Sequence, residues 1–489
     1  MKKHSLISFV LVVAINALML LLAGYATPEE GKIPITTTSE KARDYFLGGR
    51  DLFEKLRAQE SIQFFERAIA EDSNFALAYI YLSQARAGTK EFFENLNRAV
   101  VLVDKVSEGE RLWILGFEAG VNGFAMKQRE YWQKLVAAYP KDERAHTLLG
   151  NQYFGQQDYA QAIEQYTKAI EINPDFSQPY NQLGYAHRFL VNYSEAEKAF
   201  KKYIQLIPDD PNPYDSYAEL LMKMGRYDAS IESYQKALAV DPNFVASHIG
   251  IATNLNFKGD HQEAREQLRK LYDIARSDNE RRAAHFATTI SYVDEGNMDK
   301  ALEELNKQYA IAQTNNDAPA MAGDLVAMGN ILFENGKLDE ALTKFSDAVK
   351  VIEKSNLSEE VKDNTRRGYL FNAGRIAIKK KDFAKAKAKS AEYSKQVQAI
   401  NNPFQIRLSH ELAGMIALEE KDYDKALKEF QQANQQNPYN LYRMALAYEG
   451  KGEKDKAREL CTAAVKFNAL NSLNYAFMRK RAQQMLDSM

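Results

Sequence analysis

The chain is 489 residues long with a formal net charge of −2, so nothing in its bulk electrostatics draws it to nucleic acid. With 27% charged residues, 24 glycines and 12 prolines it is not a disordered or low-complexity chain, and one cysteine excludes an intrachain disulfide. Strand-like alternation is absent and apolar residues recur at helical spacing, which predicts an all-α protein.

The first residues are built differently from the rest. Met1-Lys2-Lys3-His4 is basic, and the run Leu6 to Ala23 is apolar except for Ser8 and Asn16. The small residues Gly24 and Ala26 follow, then the polar Thr27-Pro28-Glu29-Glu30. That order makes an export signal with a cleavage point after Ala26, while the apolar run is also just long enough to stay as a membrane anchor. Either reading keeps the basic flank inside and sends the remaining chain outside the cytoplasm. Leu21-Leu22-Ala23-Gly24 is like the start of a lipoprotein box, but Tyr25 stands where the lipidated cysteine belongs, which excludes lipidation there. Residues 1–26 are thus read as signal or anchor and 27–41 as a tether.

Beyond the tether, Pro140, Pro174, Pro208 and Pro242 stand 34 residues apart. In the unit Glu143 to Phe176, the residues Tyr159, Ala162, Ile163, Tyr166, Ala169 and Ile170 form one buried helical stripe. Leu149, Gly150 and Tyr153 lie on a preceding helix, broken at Gly155-Gln156-Gln157-Asp158. Gly150 and Ala162 let two helices approach closely, Tyr166 fills the gap to the next unit, and Pro174 stops the second helix. Gly184, Ala196, Phe200 and Pro208 repeat the scheme one period on; Ala218, Ser230, Tyr234, Ala237 and Pro242 repeat it two periods on.

These landmarks resemble the tetratricopeptide repeat, a 34-residue helix–turn–helix unit. The resemblance implies an α-solenoid of about ten to twelve repeats, with unit starts at Ala42, Ala76, Gly109, Glu143, Ser177, Pro211, Val245, Arg282, Ala322, Arg367, Arg407 and Pro438. An N-terminal array covers 42–278, its period clearest over 109–244. A C-terminal array of longer repeats covers 279–471, with the added residues in polar stretches such as 314–317 and 355–358. Residues 472–489 are expected to cap the stack, with Met478, Ala482, Met485 and Met489 facing the last unit and Arg479, Lys480, Gln483 and Gln484 facing water.

Chemistry is sparse. His146, His248, His285 and His410 occupy the fourth position of their units, where Tyr45, Tyr79, Tyr180 and Tyr214 sit in others, so they read as packed rings. His261 falls in a turn, and Cys461 takes the buried slot of Tyr166. No His-Glu-x-x-His pair, two-cysteine cluster, phosphate loop or nucleophile elbow occurs, so no enzyme, metal or cofactor is expected. Lys379, Lys380, Lys381, Lys385, Lys387, Lys389 and Lys395 form a basic stretch, read mainly as a solvated turn and outer helix face.

The resemblance also implies where a partner binds. Positions 2, 5, 9 and 12 of each unit line the inner groove: Arg144, Thr147, Asn151 and Phe154, then Gln178, Asn181, Tyr185 and Arg188, then Asn212, Asp215, Glu219 and Met222, with Trp113 and Phe117 before them. The expected contacts to an extended peptide are Trp113, Asn151, Asn181, Tyr185, Arg188, Asp215 and Glu219. The lysine–asparagine clamp of chaperone-binding members is incomplete, because Thr147 precedes Asn151. The segment from Ser107 to Pro140 is also similar to repeat tails of bacterial signalling proteins. The expected function is a non-enzymatic scaffold in the cell envelope for a protein or peptide partner, touching membrane only through an uncleaved N-terminal segment. The alternative is a sensor or regulatory subunit holding a small ligand or cell-wall fragment between its two halves.

Overall fold

A computed structural model describes residues 31–489 apart from residue 87; the signal or anchor segment and the start of the tether lie outside the described residues. Among the described residues there are 25 α-helices and no strand: twelve helix–turn–helix pairs and one final helix. The first pairs are α1 (Glu40–Glu54) with α2 (Ala58–Glu71), α3 (Ala76–Ala85) with α4 (Thr89–Val101), and α5 (Glu108–Val121) with α6 (Ala125–Ala138). Next come α7 (Glu143–Gly155) with α8 (Tyr159–Ile172), α9 (Ser177–Phe189) with α10 (Tyr193–Leu206), and α11 (Asn212–Lys223) with α12 (Tyr227–Val240). They are followed by α13 (Val245–Lys258) with α14 (His261–Ile274), α15 (Asp278–Glu295) with α16 (Met298–Thr314), and α17 (Ala318–Glu334) with α18 (Leu338–Glu353). The last are α19 (Glu359–Lys379) with α20 (Phe383–Ala399), α21 (Pro403–Glu419) with α22 (Tyr423–Gln432), α23 (Pro438–Gly450) with α24 (Lys454–Val465), and the lone α25 (Leu473–Asp487). Each expected unit start falls on an odd-numbered helix or, for Pro211, on the residue before one. Among the described residues no helix is long and apolar enough to cross a membrane.

Several pairs lock because a glycine in the odd helix faces a ring in the next. A Cβ added to Gly150 would meet the Tyr166 ring at 2.5 Å, and one added to Gly184 would meet Phe200 at 2.6 Å. Gly329 over Phe345 and Gly414 over Phe430 repeat the arrangement. Tyr166, Phe200 and Phe430 are fully buried, so each pair locks on a ring seated against bare backbone. Turns recur as strictly. The residue closing them is left-handed at Gln157, Val191, Gly225 and Gly259, in step with the prolines. Glycine takes that conformation freely at Gly225 and Gly259, whereas the β-branched Val191 holds it at φ 62° because the repeat imposes it. Later units lengthen as expected: α7 has 13 residues, α15 has 18 and α19 has 21.

The solenoid winds back on itself. Arg144 reaches from α7 to α1 and makes a two-pronged ion pair with Glu54, at 2.6 and 2.8 Å. Helix α4 packs on α17, and α25 packs on α15 as well as α23. The turns of units three, four and six meet the last units: Asn402 donates to the Gly123 carbonyl at 2.8 Å, Gln157 to Asn434 at 2.7 Å, and Tyr227 to Asn468 at 2.8 Å. The inner face is therefore partly covered by the chain itself.

Both ends contribute to that cover. In the tether, the Ile33 backbone N–H donates to Asp142 at 2.9 Å and the Thr36 N–H to Glu110 at 2.8 Å. Lys32 pairs with Glu143, and the Thr36 hydroxyl donates to Glu110. Ile33 and Ile35 pack on the first core, so residues 32–36 are an extended strap rather than a free linker. At the other end, Met478, Ala482 and Met485 are buried as expected of a cap. Arg479 does not face water: it binds the buried Asp294 at 3.0 Å through Nε and donates to the Asn256 carbonyl at 3.1 Å. Lys480, although exposed, donates to the Glu295 carbonyl at 2.9 Å. A helical wheel registers only the last unit, whereas α25 is wedged between that unit and α15.

Candidate functional site

The inner face is built from the odd-numbered helices, whose groove positions carry rings in the first units. Phe46, Phe53, Tyr81 and Trp113 pack ring against ring, with centroids of Tyr81 and Trp113 5.9 Å apart. Trp113 is buried in this core and lines a 230 Å³ cleft beneath residues 32–35 of the strap, together with Arg43, Arg50 and Arg144. A mouth of three arginines and three rings thus holds an aliphatic, proline-containing segment whose backbone is fixed by carboxylates.

The other expected contacts lie farther along. Asn151 is half-buried and accepts the Tyr166 hydroxyl at 2.8 Å. Tyr185, Arg188 and Glu219 form one cluster: Arg188 donates to Glu219 at 2.9 Å, the Tyr185 hydroxyl donates to Glu219 at 3.0 Å, and the guanidinium lies 4.7 Å above the Tyr185 ring. Asn181 and Asp215 are buried beside them, and Asp215 accepts the Ser247 hydroxyl at 2.7 Å. Burial, and then the charge of Glu219, push the Asp215 carboxyl well above its usual range. Trp113 stands apart in the first core. Asn181 and Asp215 present little surface to a partner; Asn151, Tyr185, Arg188 and Glu219 keep part of theirs.

Lys223, at the end of α11, ties this cluster to the second half. It donates to the Phe467 carbonyl and lies 3.5 Å above the Phe467 ring. Burial, with the charge of Arg188 adding to it, pushes its ammonium down to about 7 from 10.5. The folded chain therefore sheds a proton that the unfolded chain keeps, and this group's contribution to stability rises with pH between those values. Lys223→Met is expected to melt higher than the parent near pH 6, with the gap closing toward pH 10. A lower melting temperature at pH 6 would show that the Phe467 contact outweighs the buried charge.

The four fourth-position histidines are not apolar rings alone. Each meets a residue 19 positions later on the following helix: His146 with Gln165 at 2.8 Å, His248 with Gln267 at 2.6 Å, His285 with Glu304 at 2.8 Å and His410 with Glu429 at 2.7 Å. The constant offset was available in the sequence as a second repeat-locked position. His261 is not confined to a turn; it begins α14 and pairs with Asp294 at 2.9 Å. Cys461 is buried against Met485, which pushes its thiol up to about 11. In the basic stretch Lys380 pairs with Asp339, Lys387 with Glu420 and Lys389 with Glu392. Among the described residues no group of three His, Cys, Asp or Glu side chains converges as a metal site.

A separate cleft of 780 Å³ opens where the two halves meet, between α4, the end of α5 and the turns at residues 316–321 and 354–360. Phe93, Met321 and Leu357 supply apolar wall, while Asn97, Asn122, Asn356, Glu118 and Glu360 supply polar groups. Burial raises the Glu118 carboxyl, with Lys127 opposing and Glu360 adding.

Comparison with known proteins fits this architecture. Models of the tetratricopeptide repeat match residues 135–188, 177–210, 211–244 and 439–466. Two solved structures titled as MamA are similar over a third of the chain. One is 23% identical, covering 32% of this chain and 91% of that one with a TM-score of 0.28. The other is 22% identical, covering 33% and 89% with a TM-score of 0.29. No curated protein matches the chain. Repeat-model matches and twelve stacked helix pairs together identify a tetratricopeptide repeat protein. Such repeats are surfaces for protein–protein interaction.

Proposed function

We propose that this protein is a non-enzymatic scaffold in the cell envelope, exported by its N-terminal segment, which binds an extended segment of a partner protein on its inner face. The observation that carries the reading is the strap. Residues 32–36 lie extended across the groove of the first four units with backbone N–H groups held by Asp142 and Glu110, the geometry an external peptide would use. Asn151, Tyr185, Arg188 and Glu219, each partly exposed, continue that surface. A photo-crosslinking residue at Asn151 in cells is expected to capture a second polypeptide, with recovery increased several-fold when Ile33→Asp and Ile35→Asp release the strap. Crosslinks confined to this chain in both backgrounds, or repeats protected in the cytoplasm during fractionation, would overturn the reading.

The cleft between the halves favours a second reading, a sensor or regulatory subunit for a small polar ligand such as a cell-wall fragment. Its amides, carboxylates and the Phe93 ring suit a sugar-like ligand. A ligand-dependent rise in melting temperature, lost in Asn97→Leu, supports it; no shift across a glycan screen counts against it.

A further inference from the structure

The inner face of the last units holds a charge that the fold does not neutralise. Arg375, at the groove position of α19, donates through one Nη to Asn330 at 2.8 Å and to Asn372 at 2.9 Å. Its other N–H groups have no partner among the described residues, and no carboxylate pairs with it. The neighbouring acids are engaged elsewhere. Glu334 holds Arg481 at 2.7 Å and accepts the Tyr439 hydroxyl at 3.0 Å, and Glu411 holds Arg443 at 2.8 Å and Asn440 at 3.1 Å. Nor do the ends of the surrounding helices serve it: the Phe333, Ile378 and Leu418 carbonyls accept turn N–H groups from Gly336, Lys381 and Lys421.

The guanidinium lies 4.4 Å over the Phe333 ring and lines a 230 Å³ cavity. Phe333, Ile378, Met415, Leu418 and Leu446 make its apolar wall, while Lys379 and Glu419 offset one another. Burial pushes the guanidinium below its ordinary range, Glu334 opposing and Arg443 adding, so the charge is held at a cost that a bound anion would relieve. A planar guanidinium with free N–H groups matches a carboxylate. Glu334, Glu411 and Glu419 nearby disfavour a doubly charged group, and the size of the cavity suits a small ligand.

We infer that Arg375 is the anchor of a second binding site, one that takes a small monocarboxylic acid with an apolar or aromatic body. The acid's oxygens occupy the free N–H groups of Arg375 and its body rests on Met415, Leu418 and Leu446. The site lies on the portion of the inner face that α25 leaves open, with Arg481 of that helix at its edge.

The test is calorimetric titration of the full chain with 3-phenylpropionate, its neutral alcohol analogue, acetate and inorganic phosphate. The phenyl acid is expected to saturate in the millimolar range or tighter, with the alcohol and acetate weaker by about tenfold or more. Arg375→Gln should lower acid affinity by about tenfold or more while the melt stays cooperative. Should that variant fold poorly, Met415→Glu provides the second test. A carboxylate tethered on the lining should block the acid and raise the melting temperature. The inference is overturned if the parent does not saturate by about 10 mM acid. It is overturned equally if either variant binds as the parent does, or if phosphate and acetate bind as tightly as the phenyl acid, the mark of an adventitious ion only.

Discussion

Arg479→Ala is expected to destabilise the docking of α25 by about 3 kcal/mol, the low end of the 3–5 kcal/mol typical of breaking a buried ion pair. Asp294 is buried and accepts from His261 on one side and Arg479 on the other, across 185 residues of sequence. Burial alone would raise its carboxyl; the His261 hydrogen bond and the Arg479 charge outweigh it and hold it below the usual range. Removing Arg479 leaves that carboxylate with His261 alone, and also frees the Asn256 and Phe257 carbonyls that the guanidinium satisfies. Arg479→Lys should recover little, because one ammonium cannot reproduce contacts made by three nitrogens.

Hydrogen exchange reads this directly: amides of residues 473–487 should lose protection while those of α7 and α9 keep theirs. Equal protection in the variant would mean that Phe477 and Met478 hold the helix without the ion pair. A group whose folded pKa is depressed contributes above its unfolded value and loses that contribution as pH falls through the folded one. The parent's α25 is therefore expected to loosen below the ordinary carboxylate range, and Arg479→Ala to be loose already at neutral pH.

Arg479 also marks where sequence stops being enough. The period, the small residues Gly150 and Gly184, the buried rings Tyr166 and Phe200, the turn positions and the longer late helices are local or one unit away, and all were legible. The seat of Tyr166 on Gly150 of its own unit was not, because the sequence places that ring in the gap to the next unit. Helix α25 reads as amphipathic with Arg479 outward because periodicity sees one packing partner. Its second partner, α15, arrives only through the accumulated rotation of the units between, which no single repeat encodes. The Arg144–Glu54 pair, 90 residues apart, has the same origin. So does the strap: Ile33-Pro34-Ile35-Thr36 follows a short polar stretch and reads as a tether until Glu110 and Asp142 are brought beside it. Of the candidate site residues, Tyr185, Arg188 and Glu219 do come together on the inner face, as the repeat register predicts. It could not find that Trp113, Asn181 and Asp215 are buried, because the register fixes direction and the superhelical pitch fixes what lies opposite.

Phe200→Ala is expected to cost about 3–5 kcal/mol, the range for truncating a fully buried phenylalanine. The ring packs edge-on to Tyr185 at 5.2 Å between centroids and sits with Ala196 and Leu220. In a solenoid each unit is held mainly by its neighbours, so a weak fifth unit should split one cooperative melt into two, separating units one to four from those beyond. The seat opposite supplies a sharper test. Gly184→Ala in the parent places a Cβ 2.6 Å from the Phe200 ring, which should destabilise by about 1–3 kcal/mol through overpacking. With Phe200 truncated the same methyl enters vacated space and gains helix propensity of up to about 1 kcal/mol. Gly184→Ala should therefore change sign, destabilising alone and stabilising on the Phe200→Ala background, a coupling that chemical denaturation measures as a double-mutant cycle. Additive losses would mean that the ring and the glycine do not share one space, and the seat that repeats at Gly150, Gly329 and Gly414 would then need another explanation.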